Sequence, residues 1–516
     1  MKRRNFLHAT AMLPFVGDLV SSNKVLAKDS LSVNGPRDFQ GAAARDFFYK
    51  PVDAWAADFI PLYDNGIFQL FYLLDWRDSK NHGEGTPWYR VSTTDFVNFT
   101  EHGEMLARGS VTEQDLYVFT GSAIKANGQY HIFYTGHNPH LRQKGKPEQG
   151  VMHAVSNDMM KWKKNPEQTF FAPGDKYEPN DWRDPFVFWN EELKEYNMLL
   201  AARFKTGIPR RRGLTALCAS KDLVKWEVRE PFYAPALYFT HECPDLFRMG
   251  DWWYLVFSEF TDLVRTRYVM SRSLGGPWIT PQRDDFDGHA FYAAKTASDG
   301  NKRFIFGWNP TRSDEKDNGN WNWGGNLVVH EVQQQSNGEL TVRAPQTVSD
   351  AFANKSNYSF ANNIGNVKVE NGSVMLSAAG TFAASLAGKL PDRCKITAAV
   401  QFEENTKECG LMLRCSDDMD KAYYIRLEPR QNKLVFDMWP RDRSEVFNMV
   451  ELSRDISLTA GTPVTMEVFI EGHKGVAYVN NIIAMNFRAY DLPEGNWGVF
   501  AMEGNATFKD ISVSTL

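Results

Sequence analysis

One plan recurs five times along this chain and constrains its fold more than any other feature: a short apolar run, a turn rich in Gly, Asn, Asp or Glu, then an aromatic run. The copies are "DFIPLYDNGIFQLFYLL" from Asp58, "SAIKANGQYHIFYTG" from Ser122, "DPFVFWNEELKEYNMLLAA" from Asp184, "DLFRMGDWWYLVFS" from Asp245 and "TASDGNKRFIFGW" from Thr296. Their starts lie 64, 62, 61 and 51 residues apart. Two such runs joined by such a turn read as a β-hairpin. A second element interleaves with the first. "STTDFVNF", "SNDMMKW" and "SKDLVKW" place Asp95, Asp158 and Asp222 at intervals of 63 and 64 residues, each followed four residues later by Phe99, Trp162 or Trp226. These aspartates read as turn formers, and "SRSLGGPW" from Ser271 is a degenerate fourth copy. Five β-rich units without a helical period predict an all-β fold, a five-bladed β-propeller over residues 31–340. A large β-sandwich is the competing architecture, but it does not call for such even spacing.

In a propeller the first strand of each blade lines the axis, so equivalent positions converge in space although they are remote in sequence. Asp58 heads the first run of blade one and Asp184, in "NDWRDPFVFW", heads that of blade three. Glu242, in "HECPDLF", stands just before the run of blade four. Three carboxylates are thus expected in one axial pocket. Crowded acids force at least one carboxyl to keep its proton. One ionised and one protonated carboxyl are what cleavage of a glycosidic bond requires. Arg183 is expected to orient a carboxylate or hold a substrate oxygen through its planar fork. Trp55, Trp88, Phe119, Trp182 and Trp323 are expected to offer faces to sugar rings. For Asp58 taken alone a turn-forming role reads equally well; the combination points to a site. Calcium on the axis is the other use for converging acids. Here the acids are mixed with aromatics instead of carbonyl-bearing turns, so no metal and no cofactor are expected.

With 58 Lys and Arg against 63 Asp and Glu, the chain carries no basic stripe of the kind that binds nucleic acid. The run Arg210-Arg211-Arg212 sits in a Gly- and Pro-punctuated loop and reads as solvated. Five cysteines without C-x-x-C spacing suggest neither a disulfide framework nor zinc, leaving open whether Cys409 and Cys415 pair. Residues 1–30 begin with Arg3-Arg4, continue through a modest apolar stretch and end near Val25-Leu26-Ala27. That reads as a bacterial export signal of the twin-arginine kind and predicts a periplasmic or secreted protein. No apolar run is long enough for membrane insertion. Residues 341–360 are polar, carry Gly and Pro nearby, and read as a linker. From 361 to 516, short alternating runs such as "ITAAVQFE", "AYYIRLE" and "VTMEVFIEG" predict a C-terminal β-sandwich.

At these residues the chain resembles glycoside hydrolase family 32, the invertase, inulinase and levanase family. "WRDPFVF" is similar to the family's Arg-Asp-Pro motif, "ECPDLF" to its Glu-Cys motif and "FTGSA" to its blade-two signature. "FYAAKTASDGNKRFIFGW" and "NWGGNLVVHEV" resemble its blade-five and closing segments, and "GVAYVNNIIAMNFRAYDLPEGNWGVFAMEGNATF" the end of its sandwich. The resemblance implies that Asp58 is a nucleophile forming a covalent fructosyl intermediate. It makes Glu242 the acid/base and Asp184, with Arg183, the stabiliser of an oxocarbenium-like transition state. Trp55, Trp88, Phe119, Ser122, Arg183, Cys243 and Trp323 would then contact substrate, an oligo- or polysaccharide or a sucrose-like glycoside. An arabinan- or xylan-type furanosidase on the same plan and a sugar-binding protein without catalysis are the alternatives. The chain departs from the family at "WAADFIP", where the family has Trp-Met-Asn-Asp-Pro-Asn-Gly. It departs again at Leu73, where the family has Gln, and at Val329-His330-Glu331, where it has Pro-Arg-Glu.

Overall fold

The computed structural model describes residues 43–440 and 452–516; the export segment expected at 1–30 lies outside the described residues. Among them, no helix is long and apolar enough to cross a membrane.

The five repeats are five antiparallel blades. Their axial strands are Trp55–Asp64, Tyr117–Ala126, Tyr177–Asn190, Glu242–Met249 and Tyr292–Ser298. Each is followed by its hairpin partner, Ile67–Asp75, Gln129–His137, Glu195–Phe204, Trp252–Glu259 or Arg303–Arg312. The interleaved aspartates build the turns at the outer edge, as their spacing predicts. Oδ1 of Asp95 accepts the N–H groups of Val97 and Asn98, that of Asp158 those of Met160 and Lys161, and that of Asp222 those of Val224 and Lys225. The following residues Phe96, Met159 and Leu223 take positive φ and turn their side chains inward. One side-chain acceptor thus replaces the backbone partners that a tight turn removes.

Blade five closes against blade one through the pair Gly325–Ala56. A Cβ on Gly325 would collide with the Asn309 carbonyl oxygen, so the closure requires glycine. The polar stretch read as a linker is partly built in. Leu340–Arg343 adds a strand to blade five, Gln346–Ala351 is a short helix, and Asn354–Lys355 pairs with the last strand of the chain.

The C-terminal β-sandwich turns on two long strands, Ser373–Lys389 and Asn496–Thr515. The first half of Asn496–Thr515 pairs with Glu408–Cys415 and its second half with Arg393–Phe402, so one strand joins both groups of strands. All five cysteines are free, Cys409 and Cys415 included.

The two domains share a core. Phe47 packs against Phe352 and Phe469, and Phe469, Val476 and Tyr478 of the sandwich join the apolar cluster of blades one and five. Polar ties run through it. Arg488 donates to Asn309 and Asn326, while Asp287 accepts from Asn486 and lies 3.1 Å from His330. The other ring nitrogen of His330 is 2.8 Å from the Tyr478 hydroxyl, and none of the three is meaningfully exposed. His330 is the departure from the family's Arg, and the structure places it in this seam. Removing one partner from a buried polar pair costs about 3 kcal/mol or more. Substitution His330→Ala is therefore expected to lower the urea midpoint substantially; an unchanged midpoint would show that the seam contributes nothing to stability.

Candidate active site

Every axial strand carries a bulge near its entry end. The register slips between Ala57 and Ile60, Phe119 and Gly121, Arg183 and Phe186, Glu242 and Asp245, and Tyr292 and Lys295. In four blades the bulged residue adopts a left-handed conformation: Asp58 (φ 47°), Asp184 (φ 59°), Cys243 (φ 51°) and Ala293 (φ 51°). Such a conformation costs about 1–2 kcal/mol for a residue with a Cβ and is easiest for Asp or Asn. The sequence reading places Asp58 and Asp184 at the heads of their strands. The structure corrects this: each stands inside its strand, on the bulge, and only Glu242 begins one. A charged residue can stand in an otherwise buried strand because the bulge re-aims it out of the ladder.

The three acids are tied into one ring of contacts across blades. Asp58 Oδ1 accepts the indole N–H of Trp308 at 2.9 Å, and its Oδ2 accepts the Thr120 hydroxyl. Asp184 Oδ2 accepts the main-chain N–H of Cys243 at 2.9 Å, while its own N–H donates to Thr135 Oγ1 at 2.7 Å. Glu242 Oε2 accepts the Tyr292 hydroxyl at 2.6 Å. The Tyr292 and Trp308 rings meet edge to face, centroids 5.8 Å apart, so the side chains holding Glu242 and Asp58 are themselves in contact. Arg183 joins the remaining edges. Its Nη2 lies 3.0 Å from Glu242 Oε1 and 3.0 Å from Thr240 Oγ1, its Nη1 is 2.6 Å from Asp181, and its Nε is 3.9 Å from Asp184.

Burial drives the electrostatics. Asp58 is pushed up to about 7, first by desolvation and then by the charges of Asp184 and Glu242, against the hydrogen bonds from Thr120 and Trp308. Burial also raises Glu242, and Asp184 adds to it, while Arg183 and the Tyr292 hydroxyl oppose the rise. Burial works against the charge of Arg183, but Asp181, Glu242 and Asp184 more than offset it and keep it cationic. The pocket therefore sets one guanidinium against three carboxyls, and burial holds Asp58 and Glu242 above the ordinary carboxylate range.

Of the aromatics expected here, Trp323 packs on Trp308 beside Asp58, and Phe119 stands at the rim, stacked on His137 at 4.6 Å. Trp55 is half-buried, with Arg77 and Lys50 4.8 and 5.0 Å from its ring centroid. Trp88 and Trp182 are a correction. Both are fully buried between blades, Trp88 donating to the Val118 carbonyl, and neither presents a face to the axis. The Ser122 hydroxyl oxygen accepts the N–H of Val187 in the next blade, a structural contact. Cys243 contributes its main-chain N–H, while its thiol is buried and raised well above the ordinary range by burial first and Asp184 next. Thr120, Tyr292 and Trp308 go unassigned in the sequence, although "FTGSA", "FYAAK" and "FGW" contain them.

The family model "Glycosyl hydrolases family 32 N-terminal domain" matches residues 49–344, which are all five blades. The chain belongs to glycoside hydrolase family 32. Among curated relatives of this family 32 chain, an insoluble-isoenzyme beta-fructofuranosidase of Arabidopsis thaliana is 24% identical over 339 residues, 58% of this chain and 56% of the relative. A sucrose-6-phosphate hydrolase of Vibrio alginolyticus is 27% identical over 269 residues, 48% of this chain and 51% of the relative. The chain thus spans about half the length of these curated relatives. The solved sucrose-6-phosphate hydrolase of Lactobacillus gasseri superposes with a TM-score of 0.70 at 16% identity, covering 92% of this chain and 93% of that one. At that identity the likeness carries the fold: a five-bladed propeller with a β-sandwich.

Proposed function

We propose that this chain is a retaining β-fructofuranosidase acting on a fructan or a sucrose-like glycoside. One observation carries the reading: Asp58 and Glu242, from blades one and four, are held by two touching aromatic side chains beside a guanidinium that also faces Asp184. In the first step the Asp58 carboxylate attacks the anomeric carbon while Glu242 gives its proton to the leaving oxygen. Asp184, which accepts the Cys243 N–H and faces Arg183, would hold ring hydroxyls and balance the positive charge of an oxocarbenium-like transition state. In the second step Glu242 takes a proton from water, which attacks the same carbon and releases Asp58. The sugar leaves with its original anomeric configuration.

The test is incubation with sucrose, inulin, levan and arabinan, with NMR of the first-formed product. Release of fructose or a fructo-oligosaccharide with retained configuration is the expected result. Inverted product, or release of arabinose alone, would transfer the chain to the arabinan- or xylan-type reading. Release of no sugar from any of them, with Asp58→Ala unchanged in sugar binding, would make it a binding protein.

The hydrogen bonds on Asp58 make a sharper prediction. Each is made to a charged carboxylate and is worth about 1.5–3 kcal/mol, or one to two pH units. Trp308→Phe and Thr120→Val are expected to move the acidic limb of the kcat/KM profile upward by about one unit, because both bonds favour the ionised form. Profiles superposable on the native one would remove Asp58 from the nucleophile role. We propose also that the chain is exported through its Arg3-Arg4 leader. N-terminal sequencing of the mature protein from the periplasm or medium is expected to begin near residue 28, and retention of Met1 in the cytoplasm would refute export.

A further inference from the structure

Two positions beyond the bulge, the axial strands carry Ile60, Ser122, Phe186, Asp245 and Lys295. Lys295 is only 2% exposed. Its Nζ donates to the Pro244 carbonyl at 2.8 Å and lies 5.3 Å from the Phe186 ring. Among the described residues no carboxylate oxygen lies within 4.0 Å of it. A buried ammonium satisfied by one neutral carbonyl is costly unless the surrounding field offsets that cost. Pro244 stands two residues after Glu242, and Phe186 two residues after Asp184, so Lys295 reaches from blade five to the strands that carry both acids.

The charges facing this axis can be counted. Asp58, Asp184, Glu242 and Asp245 are the acids. Arg183 faces Asp181, Glu242 and Asp184. Arg303 donates to Thr296, whose own N–H donates to Asp245. Lys295 is the third cation. At the rim, Asp181 and Glu178 are matched by Arg203 and Arg212. In this set four carboxyl side chains stand against three basic ones.

We propose that Lys295 is a positioning residue whose buried ammonium sets that count, so that the pocket retains one proton instead of two and keeps a free carboxylate beside its acid. It touches neither substrate nor reacting atoms; it acts through the field at Asp184 and Glu242 and through the Pro244 carbonyl. The roles of Asp58 and Glu242 rest on the reading given above, but the charge count does not.

The indole of Trp308 donates to Asp58, so its fluorescence follows the proton on that carboxyl without any substrate. The experiment is a ligand-free fluorescence titration of the native protein and of Lys295→Met, with Trp308→Phe versions subtracted to isolate the Trp308 signal. The expected result is a midpoint raised by about one pH unit or more in Lys295→Met, with the acidic limb of kcat/KM moving by the same amount. Lys295→Arg, which keeps the charge, is expected to stay near the native midpoint. An unchanged midpoint in folded Lys295→Met overturns the proposal. So does a Lys295→Arg midpoint displaced as far as that of Lys295→Met, since packing alone would then account for both. Should Lys295→Met not fold, Lys295→Gln replaces it with the same two outcomes. Inactivity on every fructoside would defeat the functional reading and leave this titration to decide the charge count.

Discussion

Replacing Glu242 by glutamine is expected to lower kcat/KM on sucrose or a fructan by about a thousandfold or more, the range for loss of a general acid–base group. The oxygen of the introduced amide can still accept from Arg183, and its NH2, standing where Oε2 was, can donate to the Tyr292 hydroxyl oxygen, so the fold should survive and the loss would be chemical. Two further readouts separate this from a packing defect. The alkaline limb of the pH profile, which follows the Glu242 proton, should disappear. An aryl β-fructofuranoside, whose leaving group needs no proton, should recover much of the first step and show a burst of released phenol as the covalent intermediate accumulates. Activity within about tenfold of native with an unaltered profile would remove Glu242 from the reaction.

Asp58→Asn is expected to abolish turnover while making the protein more stable at alkaline pH. The folded-state value of Asp58, about 7, lies above the 3.8 of a free aspartate. Between those pH values the native state binds more protons than the unfolded chain, so the Asp58 contribution is full below about 4 and is lost as pH rises through 7. At pH 8 the buried charge costs at most about 4 kcal/mol. An asparagine keeps the Trp308 bond through its oxygen, and its amide N–H can donate to Thr120 Oγ1, without carrying the charge. Thermal unfolding of the two proteins should coincide near pH 4 and diverge in favour of Asp58→Asn at pH 8. Identical Tm values at both pH values would mean that Asp58 is not desolvated.

How much of this was legible beforehand depended on whether a residue's role is local or collective. The outer turns were readable because Asp95, Asp158 and Asp222 each act within three residues of themselves, and such chemistry repeats visibly. The convergence of Asp58, Asp184 and Glu242 was readable from blade symmetry plus motif. The bulge was not, since a slip between paired strands leaves no mark on apolar alternation. Without it, Asp58 and Asp184 fall at strand heads. Trp88 and Trp182 read as pocket residues because a tryptophan beside an acid motif looks the same whether it faces sugar or core; only the blade-to-blade packing decides, and here the core won. Tyr292 and Trp308 escape the sequence for the converse reason. They act on acids from other blades, 50 and 250 residues away in the chain, and nothing in their own neighbourhood announces it. The departures at Leu73 and His330 also took on meaning with the coordinates. Leu73 is fully buried, so that position offers no polar group to a sugar, and His330 belongs to the domain seam.

The left-handed kink in four of the five innermost strands makes the scaffold a turret with interchangeable mounts. Asp58, Asp184, Cys243 and Ala293 occupy the same station on different spokes, so what projects there can be exchanged without disturbing the pairing behind it. Ala293 is the vacant mount: an aspartate or asparagine suits its dihedral angles better than alanine does. A family descended from such a plan can retune its chemistry one spoke at a time.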